Sequence, residues 1–196
     1  MTWPFGTLRP LSYDLLMVDP PWRFALRSEK GEAKSAQAQY ACMSLDDIKA
    51  LPVGHLARKD AILWLWATHP MLPQALEVMA AWGFAFTTSG AWVKTTSGGK
   101  LAFGTGYVLR SASEPFLIGK FGRPGTARNV HTILMAPTRE HSRKPVEAYI
   151  AAEALACDAT RRADLFSRES RPGWDAWGDE AGKFDASETL HVATAG

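Results

Sequence analysis

The stretch Leu15-Leu16-Met17-Val18-Asp19-Pro20-Pro21-Trp22 decides the fold. Four apolar residues in succession, without polar alternation, predict a strand buried on both faces, as in a parallel sheet. Pro20 and Pro21 cannot donate to a sheet ladder, and each fixes its own φ. A residue before proline is pushed into extended conformations, so Asp19 and Pro20 are both stiffened. The expected product is a rigid spur at the carboxyl end of a central strand, carrying a carboxylate, exposed carbonyls and an indole. In open α/β sheets that edge is where ligands bind.

A spur of this kind suits transfer to a planar exocyclic amine. The amino nitrogen of adenine is a poor nucleophile because its lone pair is delocalised into the ring. Two acceptors aimed at its two hydrogens favour a more tetrahedral nitrogen. Asp19 can supply one acceptor, the Pro20 carbonyl the other, and Trp22 can stack on the base. This is positioning and electrostatic preorganisation without a covalent intermediate. The plainer reading is a strand followed by a stiff turn with an ordinary aspartate; four specified residues directly after a buried strand favour the first.

Composition sets the bounds. With 196 residues there is enough chain for one domain with a proper core. The net charge of +2 is weak, so a nucleic-acid surface must be a local patch. Cys42 and Cys157 fit no metal spacing, no metal site is expected, and a reducing cytosol is the default. Met1 to Pro10 lacks a signal pattern, and no apolar run reaches membrane-spanning length.

Outward from the spur, residues 23–39 are polar and crowded with charge, which reads as a mobile loop, either a lid over a bound base or plain solvated chain. Ser44 is a helix N-cap, with Asp46 and Asp47 suiting the positive helix start. Ala61 to Trp66 predicts a second buried strand beside the first, followed by a helix from about Pro70 to Trp82 that Gly83 closes. Phe84–Lys94 and Glu114–Phe121 predict two more strands. The long Gly/Ser/Thr-rich segment between them, 95–113, is expected to carry function. Lys94, Lys100 and Arg110 are candidates to pair with phosphates. Val130–Ala136 predicts another strand, an Ala-rich helix runs to about Cys157, and Arg162–Arg168 reads as the last strand.

Asp19-Pro20-Pro21-Trp22 matches the D/N/S-P-P-Y/F/W signature of S-adenosylmethionine-dependent amino methyltransferases. With it run, in order, Trp92-Val93-Lys94, Gly104-Thr105-Gly106, Glu114-Pro115, Lys144-Pro145, Asp164-Leu165-Phe166-Ser167-Arg168 and Gly173-Trp174-Asp175-Ala176-Trp177-Gly178. This ordered set resembles the family of the catalytic subunit of the eukaryotic messenger-RNA adenosine methyltransferase, the MT-A70 family, with its bacterial and phage members. The resemblance implies an α/β fold, a permuted Rossmann-like methyltransferase with a mostly parallel central sheet flanked by helices. It implies one domain over residues 1–182 and a C-terminal tail over 183–196.

The same resemblance implies S-adenosylmethionine as cofactor. Lys144 would reach the carboxylate of its methionine moiety; without the resemblance Lys144 reads as a solvated residue before a helix. Phe5 and Gly6 would line the cofactor's adenine pocket through backbone groups, Asp19 would border it, and Asp164 and Arg168 would serve the ribose. Asp164 replaces the family's Glu. Asp179 and Glu180 stand where the eukaryotic enzymes carry Asn-Gln. Tyr40, Lys94, Lys100, Gly106, Arg110 and Glu114 fall to the acceptor side. The implied activity is methylation of adenine N6 in DNA, which the compact length favours, or in RNA. The expected partner is the nucleic-acid substrate, with a homo- or heterodimer open and no membrane. The rival is a non-catalytic nucleic-acid-binding partner subunit of a methyltransferase complex, and the intact spur argues against it.

Overall fold

The computed structural model describes residues 2–22, 42–106, 108–139 and 143–185. The expected lid 23–39 and Tyr40 lie outside these. The first strand, β1, is Tyr13–Val18. It lies between β2, Ala57–Trp66, and β6, Arg162–Leu165, parallel to both. The reason for its unbroken apolar sequence is visible in the packing. Leu16 and Val18 point into one buried cluster, and Leu15 and Met17 into a second on the opposite face. In β2 the same division separates Ala61, Leu63 and Leu65 from Ile62, Trp64 and Trp66. Alternation is absent because both faces are covered.

The full sheet has seven strands in the order β5-β3-β4-β2-β1-β6-β7. Here β3 is Ala85–Thr95, β4 Ser113–Phe121, β5 Ile133–Pro137 and β7 Trp174–Trp177. Among the described strands only β4 runs against the others. The mostly parallel sheet expected from the sequence is therefore observed. All strands but β4 deliver their carboxyl ends to one edge, and β4 starts there.

Helices α1, Leu45–Ala50, and α2, Leu72–Ala81, cover one face through Ile48, Ala75, Val78 and Met79. Helix α3, Val146–Leu155, covers the other through Ala148, Tyr149, Ala151 and Ala152. Ser44 caps α1, its hydroxyl accepting from the Asp47 N–H at 3.1 Å. Gly83, at φ 82°, closes α2: its N–H donates to Ala80 O, and that of Phe84 donates to Met79 O. This pair of bonds satisfies two terminal carbonyls and requires a left-handed residue, so glycine stands there. Among the described residues no helix is long and apolar enough to cross a membrane.

Two boundaries differ from expectation. The strand at 162–168 ends at Leu165 and is not the last, because β7 pairs with it in parallel. That four-residue edge strand, between Gly173 and Gly178, is too short to show a period. Nor does order stop at Gly182. Phe184 is buried, its N–H donates to Arg168 O, and Asp185 accepts from the Ser170 N–H, so packed chain extends to Asp185.

Candidate active site

Asp19 follows β1 directly, its N–H donating to Leu165 O across the sheet. The carboxylate Oδ2 lies 2.7 Å from Lys144 Nζ. That same ammonium is 2.7 Å from Glu114 Oε1, and Glu114 Oε2 is 2.9 Å from Lys94 Nζ. The four groups come from the ends of β1, β3 and β4 and the start of α3, all at the carboxyl edge. They form an alternating, charge-balanced row.

Burial is the largest influence on each of its three inner members. It raises the Asp19 pKa, with Glu114 pushing the same way against Lys144. For Glu114 the two lysines overcome burial and hold the carboxyl below its usual range. For Lys144, Asp19 and Glu114 overcome burial and raise the ammonium. Lys144 therefore stays charged although its side chain is only 8% exposed. Its Nζ also lies 5.3 Å from the centre of the Trp66 ring, a favourable cation–π position.

Beside Asp19 opens a small cleft of about 30 Å³, continuous with solvent. Its wall carries Asp164 and Glu169, the cations Arg143, Lys144 and Arg168, and the rings of Trp66 and Phe166. Asp164, on β6, is buried and accepts a hydrogen bond from the Tyr149 hydroxyl at 2.8 Å. Burial pushes its pKa up to about 7, against the hydrogen bonds from Tyr149 and Ser167 and with the charge of Asp19. Such a raised value makes protonation favour the folded state. The stabilisation is full below the ordinary carboxyl value of 3.8 and is lost as pH rises to about 7. Asp164→Asn is expected to remove this dependence. Between pH 5 and pH 7 thermal melts should show the wild type losing about 2 kcal/mol more than the variant.

Not every sequence-predicted group stands where expected. Trp22 is 5% exposed, and its indole N–H donates to Trp66 O at 3.1 Å. It is a core residue, not an open stacking surface. The chain turns back after Pro21, the Trp22 N–H donating to Pro20 O at 2.8 Å and the residue bridging to Met43. The Pro20 carbonyl thus already accepts one hydrogen bond. Pro21 O accepts the Met43 N–H at 3.1 Å, and each of the two carbonyls keeps a second lone pair.

Phe5 is fully buried between Trp3 and Trp177, and its carbonyl accepts the Leu8 N–H. Neither Phe5 nor the exposed Gly6 is on the cavity wall. Lys94 is tied to Glu114 instead of being an open phosphate contact. Arg168 reaches Glu180 at 3.1 Å, and Glu180 also pairs with Lys183. Asp179 is exposed and off the wall. Lys100 and Arg110 are exposed on the insert. Gly106 has an evident requirement: a Cβ there would lie 1.8 Å from Leu109 O. Gly106→Ala should therefore distort the insert, raising the acceptor KM about tenfold while cofactor affinity, by calorimetry, stays the same.

Sequence reading passed over Tyr149, Arg143 and Glu169. Arg143, 5% exposed in its side chain, makes a two-point ion pair with Glu169, at 2.8 and 3.2 Å. Arg139 and Arg171 approach the same carboxylate, at 3.5 and 3.4 Å. One signal was present for Tyr149, a single large hydroxyl-bearing residue in an otherwise Ala-rich helix. None marked the arginines, whose shared partner is distant in sequence.

The MT-A70 family model matches residues 13–180, from the first residue of β1 to Glu180. The chain belongs to the MT-A70 family. One relative, the Type II methyltransferase M.MunI of a Mycoplasma species, is 29% identical, covering 90% of this chain and 81% of its own length. The probable N(6)-adenosine-methyltransferase MT-A70-like of rice is 30% identical over 86% of this chain, but only 23% of the rice protein is covered. The human N(6)-adenine-specific methyltransferase METTL4 is 24% identical over 88% of this chain and 38% of its own. The family segment thus contains every member of the charged row and every residue of the cavity wall.

Proposed function

We propose that this protein transfers a methyl group from S-adenosylmethionine to the exocyclic N6 amine of adenine in nucleic acid, with DNA the preferred acceptor. The observation that carries the reading is Asp19, a carboxylate at the carboxyl edge of the central sheet, opening onto a cavity that presents both charge signs. The donor set suits the cofactor: a zwitterionic amino-acid end, ribose hydroxyls and a purine need cations, carboxylates and aromatic surface. When bound, the cofactor supplies a sulfonium-activated methyl group.

The residues of this chain do the rest. Lys144 and Arg168 would hold the cofactor's anionic and hydroxyl groups and Asp164 its donors, with Glu180 behind Arg168 as its ion-pair partner. Asp19 accepts a hydrogen of the adenine amine and stabilises the positive charge that develops on nitrogen as the methyl arrives. To do so its carboxylate must be shared with, or released by, Lys144, and Glu114 stands ready to retain that ammonium. After transfer the nitrogen sheds a proton to solvent or to the same carboxylate. Preference for DNA draws on similarity to a Type II methyltransferase over most of that relative's length.

The test is a panel of acceptors with labelled cofactor: single-stranded DNA, duplex DNA, RNA and adenine-free oligonucleotides. Label should enter adenine-containing DNA fastest. Faster entry into RNA would overturn the DNA preference. Cofactor binding without transfer to any nucleic acid would favour a non-catalytic partner subunit.

A further inference from the structure

The insert joining β3 to β4 exposes apolar side chains that no part of the described protein covers. Val108 is 94% exposed and Leu109 82%, while Leu101 and Phe103 on the same insert are 55% and 54% exposed. Scattered single apolar residues are ordinary on a surface, but adjacent ones at the tip of one insert need a partner. The tip is hydrogen-bonded, not loose: Gly104 N–H donates to Ser111 O at 2.6 Å, and Ser111 N–H to Thr105 O at 3.3 Å. Both ends of the insert are fixed to the charged row, through Lys94 at the end of β3 and Glu114 at the start of β4. The apolar tip is thus leashed to Asp19.

Charge identifies the partner. Residues 96–112 contain Lys100 and Arg110 and no acidic residue. Arg110 is already ordered, its Nε donating to Gly104 O at 3.2 Å and its guanidinium lying 4.1 Å from the Phe103 ring centre. An apolar tip flanked by an ordered arginine and an exposed lysine is complementary to a base stack bordered by phosphates, and apolar wedges between base steps are a known means of unstacking a duplex. A recessed carboxylate such as Asp19 cannot reach an amine inside a duplex, so the target base must leave the stack.

We propose that Val108 and Leu109 form a wedge that enters duplex DNA beside the target adenine and occupies the gap left when that base swings out. The wedge rests on the methyl-transfer reading but is measured separately from it. Val108→Ser combined with Leu109→Ser alters two solvent-exposed positions, so the melting temperature should not move. With this variant kcat/KM on duplex DNA should fall about tenfold or more. On the same strand unpaired, or with the target adenine mismatched, it should fall less than about twofold, because little unstacking is needed there.

A duplex carrying 2-aminopurine at the target position gives the second readout. Its fluorescence should rise on wild-type binding and not on binding of the variant. Equal losses on duplex and single strand, an undiminished duplex rate, or no fluorescence rise with the wild type would each overturn the wedge. A fluorescence rise without methylation would leave the wedge standing and overturn the methyl-transfer reading instead.

Discussion

Asp19→Ala is expected to lower kcat for adenine methylation by about 10³-fold, the scale seen when a preorganised electrostatic group facing the reacting atom is removed. The fold should survive, because Lys144 keeps Glu114 as a partner at 2.7 Å and Asp19 is the more exposed of its two carboxylates, at 31% against 14%. Asp19→Asn should be nearly as inactive, since the amide replaces one acceptor oxygen with a donor and removes the charge. Cofactor affinity, measured by calorimetry, should change much less than kcat. If Asp19→Ala kept activity within about tenfold of wild type, the carboxylate would not be the group that engages the amine.

Lys144→Ala should have the largest effect on stability. The ammonium sits between Asp19 and Glu114, and its removal strands two recessed carboxylates near one another. Breaking a buried pair in this way costs about 3 kcal/mol. At about 2–4 °C per kcal/mol for a chain of this size, the melting temperature should drop by about 6–12 °C.

The sign with pH follows from the depressed Glu114 value. Stability from this pairing is present above the ordinary carboxyl value of 4.5 and is lost as pH falls through the lower folded one. The deficit of the variant should therefore shrink toward acid, where the stranded carboxylates take up protons. Adding Glu114→Gln to Lys144→Ala should recover part of the loss, because one uncompensated charge is removed. Calorimetry on the single variant should also show weakened cofactor binding. A wild-type melting temperature would refute the buried row, and unchanged cofactor affinity would refute Lys144 as an anchor.

How far the sequence disclosed this arrangement depends on how local each determinant is. The doubly buried runs of β1 and β2 declare themselves because apolar continuity is a property of the segment itself. Ser44 and Gly83 declare two helix ends for the same reason, since a cap needs only its near neighbours. The Asp19 edge followed from the prolines after it.

What stayed hidden was tertiary. Trp22 looks free beside two prolines, and only the return of the chain past Met43 puts its indole against Trp66. The Asp164–Tyr149 bond joins a strand to a helix on the sheet's far face, and Lys144 meets Glu114 from an element thirty residues away in sequence (144 against 114). The resemblance assigned Lys144 to the cofactor but carried no hint that Asp19 holds it in the free protein. Strand β7 escaped because four residues beside glycines display no period.

The most direct test of the central claim uses S-adenosylmethionine carrying a trideuterated methyl group. After incubation with duplex DNA, the nucleosides are digested and resolved by mass spectrometry. Asp19 at the carboxyl edge predicts the label on the N6 nitrogen of deoxyadenosine with the wild type, and its loss with Asp19→Ala. Label on deoxycytidine, on protein, or on deoxyadenosine at equal levels in both proteins would contradict it.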